Sequence, residues 1–230
     1  MEKSSQPPGV NPQPPPPVRQ CMTLDTARII PDVFSPGECA QIIADGLQTW
    51  QKQAGTVQTA IDGRTERDPN EAARQNLTLD SYRETTLYVP SAPVPWLFNR
   101  LLGTIMVCNS QENGWGFQIG GFAEPPNLME YNEAGLNPSR NPGQYGFHID
   151  VGAGAVPSMR KVSYSVLLNA GAYEGGALQI KVGMDDAPVP GQDRPGTMIL
   201  FPSYLLHRVH PVTRGRRYAL VGWAHGNSFV

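Results

Sequence analysis

Apolar positions change their spacing twice along this chain. Residues 1–20, MEKSSQPPGVNPQPPPPVRQ, hold almost nothing to bury and are dominated by Pro, Gln and Ser. They predict a disordered or polyproline-like arm, with the domain proper running from 21 to 230 and order beginning near ARIIPDVF. Ser35-Pro36-Gly37-Glu38 then has the pattern of a capping box: a hydroxyl N-cap, proline at the first helical position, and a glutamate able to reach back to the cap amide. Ile42, Ile43, Leu47 and Trp50 follow at the spacing of one helix face. Residues 52–80 are rich in Gln, Arg, Asp and Asn and predict a long loop, a place where function often sits. SYRETTLYV at 81–89 reads as a strand, and PWLFNRLLGTIMVCNSQ at 95–111 as a second amphipathic helix.

From Trp115 onward the pattern shortens to apolar runs separated by Gly, Pro and Asn. Candidate strands are GFQIG, NLMEY, GFHID, KVSYSVLLN, ALQIK, TMILFP, HRVHPV and RRYALVGW. Two helices followed by about eight short strands predict an α+β domain: a double-stranded β-helix (jelly roll) with supporting N-terminal helices. The 24 glycines and 23 prolines, against 17% charged residues, fit a fold rich in tight turns.

Bulk charge changes the picture little. A net charge of −2 gives no reason to invoke nucleic acid or a membrane surface. Cys21, Cys39 and Cys108 have no metal-binding spacing and leave one unpaired in any disulfide scheme, so a reducing interior is expected. No basic segment followed by an apolar run is seen near residue 1, and no apolar run is long enough to span a bilayer; a cytoplasmic location is the expectation.

The chemistry lies in the second half. In FHIDVG at 147–152, His148 and Asp150 stand at i and i+2, so in a strand both side chains leave the same face. MILFPSYLLHRVHPVTRGRRYALVGW at 198–223 supplies His207 and then Arg217. Two imidazoles and one carboxylate on one side of an iron ion leave adjacent coordination positions open. Arg217 is a cation able to hold the far carboxylate of a dicarboxylic co-substrate by a bidentate fork. His210 competes with His207 for the third ligand position, although the spacing to the arginine then shortens. Arg160 reads as either a strand start or a substrate contact, Arg214 and Arg216 as turn charges, His225 as a structural or exposed residue, and Gly175-Gly176 as a turn.

These segments resemble the Fe(II)/2-oxoglutarate dioxygenases of the prolyl 4-hydroxylase type. The resemblance runs from about Pro31 to Trp223 and rests on IIPDVFSPGECAQII, GFQIGGFAEPPNLMEY, YGFHID, RKVSYSVLLNAGAYEGGALQI and PGTMILFPSYLLHRVHPVTRGRRYALVGW. It implies His148, Asp150 and His207 as iron ligands and Arg217 as the partner of the 2-oxoglutarate 5-carboxylate. Tyr131 is then a further hydrogen bond to that co-substrate, Ser163 lies near its carboxylate, and Leu167 replaces a tyrosine some relatives carry. Trp223 lines the pocket and Arg160 lies close to its mouth. Fe(II), 2-oxoglutarate and O2 are implied, with ascorbate as a supporting reductant. The implied reaction couples decarboxylation of 2-oxoglutarate to succinate and CO2 with C–H hydroxylation, and the carboxylate of Asp150 favours that outcome over halogenation. The expected substrate is a prolyl or other aminoacyl residue in a peptide or protein; a free amino acid or natural product is the alternative, and a low-turnover sensing module a third. Oligomeric state is open. Specificity is expected in residues 52–80 and in the Gly-rich loop Val151–Ser158.

Overall fold

The computed structural model describes residues 27–55, 82–110, 114–181 and 188–227. The Pro-rich arm and most of the expected 52–80 loop lie outside them.

The capping box forms as the sequence predicts. The Ser35 amide donates to Glu38 Oε2 at 2.8 Å and the Glu38 amide to Ser35 Oγ at 3.2 Å, opening helix α1 (Pro36–Thr49). Its buried face is Cys39, Ile42 and Gly46, with Ile43 beside them, while Leu47 is exposed. The face rotates because Gly46 lies flat against Leu128, where any side chain would collide. Helix α2 (Pro95–Ser110) buries Leu97, Leu101, Ile105 and Cys108, one residue per turn.

The strands are β1 (Arg28–Ile30), β2 (Gln51–Ala54), β3 (Arg83–Glu84), β4 (Thr86–Val89), β5 (Asn127–Asn132), β6 (Gln144–His148), β7 (Arg160–Leu167), β8 (Tyr173–Gly175), β9 (Leu178–Ile180), β10 (Met198–Pro202), β11 (His207–Val209) and β12 (Val212–His225). They form a major sheet in the order β1-β10-β7-β12-β5-β4-β2, with β8 added to β12, and a minor sheet β3-β6-β11-β9. Every pairing is antiparallel. Two antiparallel sheets supported by helices are the expected jelly roll.

The structure redraws several elements. Gln51–Ala54 is an edge strand rather than loop. The 81–89 run divides between sheets: β3 pairs with β6 and β4 with β5, and buried Thr85 makes the crossing, donating its hydroxyl to the Glu130 carbonyl. GFQIG forms no strand; beside it, Gly121 makes an isolated bridge to His225.

Alternation along the major sheet sorts side chains into two layers. Leu128, Val162, Tyr164, Val166, Met198, Leu200, Tyr218 and Leu220 face the helices and join the core with Phe34, Ile42, Leu97, Leu101 and Ile105. The alternate residues Met129, Tyr131, Leu167, Ile199 and Phe201 pack with Leu178, Ile180 and Val209 of the minor sheet. Each such fully buried side chain contributes about 1.5–3 kcal/mol. The inner layer also carries polar groups, among them Ser163 and Arg217, and these build the site.

Candidate metal centre and co-substrate pocket

His148 ends β6 and His207 begins β11, and the two are direct cross-strand partners. Asp150 sits in the bend just past β6 rather than within the strand. One ligand atom from each residue can be chosen so that all lie within 4.8 Å of one another. Asp150 Oδ1 is 3.6 Å from His148 Nε2, and Asp150 Oδ2 is 3.4 Å from His207 Nε2. Each imidazole presents Nε2 because its Nδ1 is engaged: His148 Nδ1 lies 2.8 Å from the Gly146 carbonyl and His207 Nδ1 2.8 Å from the Leu205 carbonyl. A carbonyl accepts from N–H, which fixes the tautomer and leaves the Nε2 lone pair for a metal.

The protonation states suit a cation. Burial alone would raise the Asp150 carboxyl, but the His207 and His148 imidazoles and the Ser163 hydroxyl outweigh it and hold it well below the usual range. Burial pushes His207 down to about 4, against the pull of Asp150, so at neutral pH it is uncharged. Metal binding needs these two forms, an ionised carboxylate and a neutral imidazole.

Ser163 donates to Asp150 Oδ2 at 2.6 Å and lies 3.0 Å from Ser203 Oγ. The Asp150 amide donates to the Ser203 carbonyl at 2.9 Å. Ser163, expected beside the co-substrate carboxylate, therefore orients the metal-facing carboxylate here. His210 is absent from the cluster and instead sits 2.9 Å from Gln179 Oε1.

Arg217 is 1% exposed, and its Nε, Nη1 and Nη2 are all buried without a hydrogen-bond partner. Its Cζ lies 5.0 Å from the centroid of Tyr131, its cross-strand partner. A buried, unpaired guanidinium costs several kcal/mol, so this pocket fits an anion such as the carboxylate of 2-oxoglutarate. Gly176 does more than turn the chain: it has φ +64°, and a Cβ there would come within 2.7 Å of Arg217 Cδ. Leu167 is fully buried in the same inner layer as Tyr131.

Arg160 forks onto Glu124, with Nε 2.7 Å from Oε2 and Nη2 2.6 Å from Oε1, and its Nη1 donates to the Asp150 carbonyl at 3.1 Å. Its Cζ stands 3.6 Å from the Trp223 ring centroid, a cation–π contact. All its nitrogens are thus engaged within the protein, which makes it a positioning group for the Asp150 turn. Trp223, opposite Ser163 on the next strand, keeps a buried Nε1 without a partner.

Two contributors escaped the sequence reading. Tyr145 stacks on His148 with centroids 3.5 Å apart and carries the Arg83 guanidinium 4.4 Å above its ring. Residues three apart in a regular strand face opposite ways; a bulge in the β6–β11 pairing brings these two together. Glu124 is the other, and its partner His225, read from sequence as structural or exposed, is buried beside it. His225 accepts from the Ala123 amide through Nδ1 at 3.1 Å and approaches Glu124 Oε2 through Nε2 at 3.0 Å. Burial would raise the Glu124 carboxyl, but the His225 hydrogen bond and the Arg160 fork outweigh it and bring it down to about 2.

Known proteins show the same pattern. The sequence profile of the 2OG-Fe(II) oxygenase superfamily matches residues 134–225, which include the triad and Arg217. A PKHD-type hydroxylase of Sphingopyxis alaskensis is 27% identical over 186 residues, 79% of this chain and 74% of that protein. One from Teredinibacter turnerae is 35% identical over 93 residues, but that match spans only 38% of this chain and 40% of the relative. The fold is shared with a Trichoplax adhaerens prolyl hydroxylase solved with a peptide fragment of hypoxia inducible factor, at TM-score 0.63 and 18% identity over 90% of this chain and 86% of that one. The donor set, the pocket and these likenesses agree: residues 134–225 carry the pattern of the 2OG-Fe(II) oxygenase superfamily, and most of the chain is similar to a PKHD-type hydroxylase.

Proposed function

We propose that this dioxygenase hydroxylates a prolyl or other aminoacyl residue in a peptide or protein. The observation that carries its co-substrate use is the buried, unpaired Arg217 guanidinium in the inner layer that also serves the His148–Asp150–His207 cluster. When bound at the cluster, ferrous iron supplies the activation of dioxygen that couples loss of CO2 from 2-oxoglutarate to insertion of one oxygen atom into a C–H bond. Arg217 holds the far carboxylate of 2-oxoglutarate by its fork, and the Tyr131 ring walls that end of the pocket. Ser163, Ser203 and Arg160 fix the turn that carries Asp150. The Trp223 face beside Arg160 borders the place where a substrate chain meets the site. Support for a peptide substrate comes from the Trichoplax neighbour, a prolyl hydroxylase solved with a peptide.

The test is turnover of 2-oxoglutarate by the iron-loaded protein against panels of prolyl peptides, free amino acids and small natural products, with succinate and product mass measured together. One succinate per oxygen gained by a peptide supports the proposal. Product from free amino acids alone would replace it with the small-molecule reading. Tight 2-oxoglutarate binding without turnover on any panel would point to a sensing module.

A further inference from the structure

The segment ahead of β1 is rich in the residue that this site is proposed to modify. Residues 1–20 contain Pro7, Pro8, Pro12 and the run Pro14-Pro15-Pro16-Pro17. Sheet register decides where that segment joins the domain. β1 runs antiparallel to β10, with Ile30 opposite Met198 and Arg28 opposite Leu200. Tracing the chain backward from Ile30 to Ala27 therefore follows β10 toward Phe201 and Pro202, the end that holds the metal centre. The Phe201 ring is 4.7 Å from the His207 ring, and Ser203, next in line, accepts from the Asp150 amide. Ala27 packs against the cluster that includes Phe201.

Distance favours the encounter. The ten peptide steps from Pro17 to Ala27 can reach at most roughly 35 Å. β1 is separated from β7, which carries Ser163, by the single strand β10, and neighbouring strands lie only about 4.8 Å apart. For a linker of that reach, effective concentrations at a site on the same chain are on the order of millimolar. The chemistry is complementary as well. Proline-rich segments dock against aromatic faces, and the partly buried Trp223 ring beside Arg160 is such a face.

We propose that the Pro14–Pro17 run is hydroxylated by the active site of its own chain. This rests on the prolyl reading above and deepens it by naming a substrate. In each turnover a proline C–H becomes C–OH. One atom of dioxygen enters the hydroxyl and the other enters succinate, and CO2 leaves. The two electrons from the C–H bond and the two from decarboxylation account for the four that dioxygen accepts.

The full-length protein is incubated with Fe(II), 2-oxoglutarate and isotopically heavy dioxygen, and the tryptic peptide Ser4–Arg19 is read by mass spectrometry. The expected result is a gain of one heavy oxygen per hydroxylated proline, localised to Pro14–Pro17, at a fractional rate unchanged by dilution of the protein. The His207→Ala protein should show none. A chain with Pro14→Ala, Pro15→Ala, Pro16→Ala and Pro17→Ala together should lose the gain yet still hydroxylate a free Ser4–Arg19 peptide. An unmodified arm in a preparation that hydroxylates free prolyl peptides would overturn this inference and leave the proposed function standing. Modification proportional to protein concentration would also overturn it, since one chain would then be acting on another. Succinate formation with no prolyl peptide as substrate would remove the prolyl reading itself.

Discussion

Replacing Arg217 with methionine should stabilise the empty protein and remove most of the stabilisation that 2-oxoglutarate confers. Arg217 is 1% exposed and none of its three nitrogens has a partner. Keeping such a cation buried costs several kcal/mol, while methionine keeps much of the apolar stem and carries no charge. Without 2-oxoglutarate, Arg217→Met should therefore be more stable than the native protein. At about 2–4 °C per kcal/mol for a domain of this size, a relief of about 3 kcal/mol raises Tm by roughly 6–12 °C. Saturation closes most of the gap. At about 100 times its Kd, 2-oxoglutarate stabilises the native protein by about 2.7 kcal/mol. Loss of the fork costs about 2–5 kcal/mol of binding, or roughly 30- to several-thousand-fold in affinity at about 1.4 kcal/mol per tenfold. At the same concentration the variant should gain at most about 0.9 kcal/mol, a third or less of the native response. Anaerobic scanning calorimetry of the iron-loaded proteins with and without 2-oxoglutarate reads both effects. Arg217→Lys should recover part of the binding, because the ammonium lacks the planar fork. An Arg217→Met protein that starts below the native Tm, or responds to 2-oxoglutarate as the native protein does, would refute the reasoning.

The histidine choice is checked by metal titration: His207→Ala should abolish tight iron binding, whereas His210→Ala should leave it intact and lose only the Gln179 contact, about 0.5–1.5 kcal/mol of stability. Ser163→Ala should weaken metal affinity about 10–100-fold without unfolding the domain, because Asp150 loses the hydroxyl that orients it. Glu124 makes the domain acid-sensitive. Its folded value is depressed to about 2 from an ordinary 4.5, so its contribution is complete above 4.5 and is lost as pH falls toward 2, where the unfolded chain takes up a proton first. Glu124→Gln should be less stable at neutral pH and should flatten that part of the acid denaturation curve, measured by circular dichroism.

Much of this site was legible because ligand chemistry constrains sequence tightly. The His-x-Asp spacing, the later Leu-His-Arg-Val and the arginine beyond it mark three donors and one cation before any coordinates. Period-two alternation in β5, β7 and β12 likewise places Tyr131, Ser163 and Arg217 on one inner layer, although their partners are not visible from it. What escaped depended on register. Tyr145 meets His148 only because of a bulge, which pairing geometry creates and no local pattern announces. Glu124, Arg160 and His225 come together from distant parts of the chain. The apolar run at 81–89 looks uniform, but its residues serve two sheets, since each half pairs with a different strand.

The cross-strand pairing of His148 with His207 also has a consequence for how the domain breathes. The minor sheet is built from short strands, two residues in β3 and three each in β9 and β11, whereas β12 alone runs for fourteen in the major sheet. Few ladder bonds oppose local opening there, so β6 and β11 belong to the low-stability end of the domain. A bound ion ties the end of one to the start of the other and closes the long loop between them, which takes chain entropy from every state in which they part. Amide exchange in β6 and β11 should therefore slow on metal loading while the centre of the major sheet hardly changes. The ion is in this sense a rivet as well as a reagent.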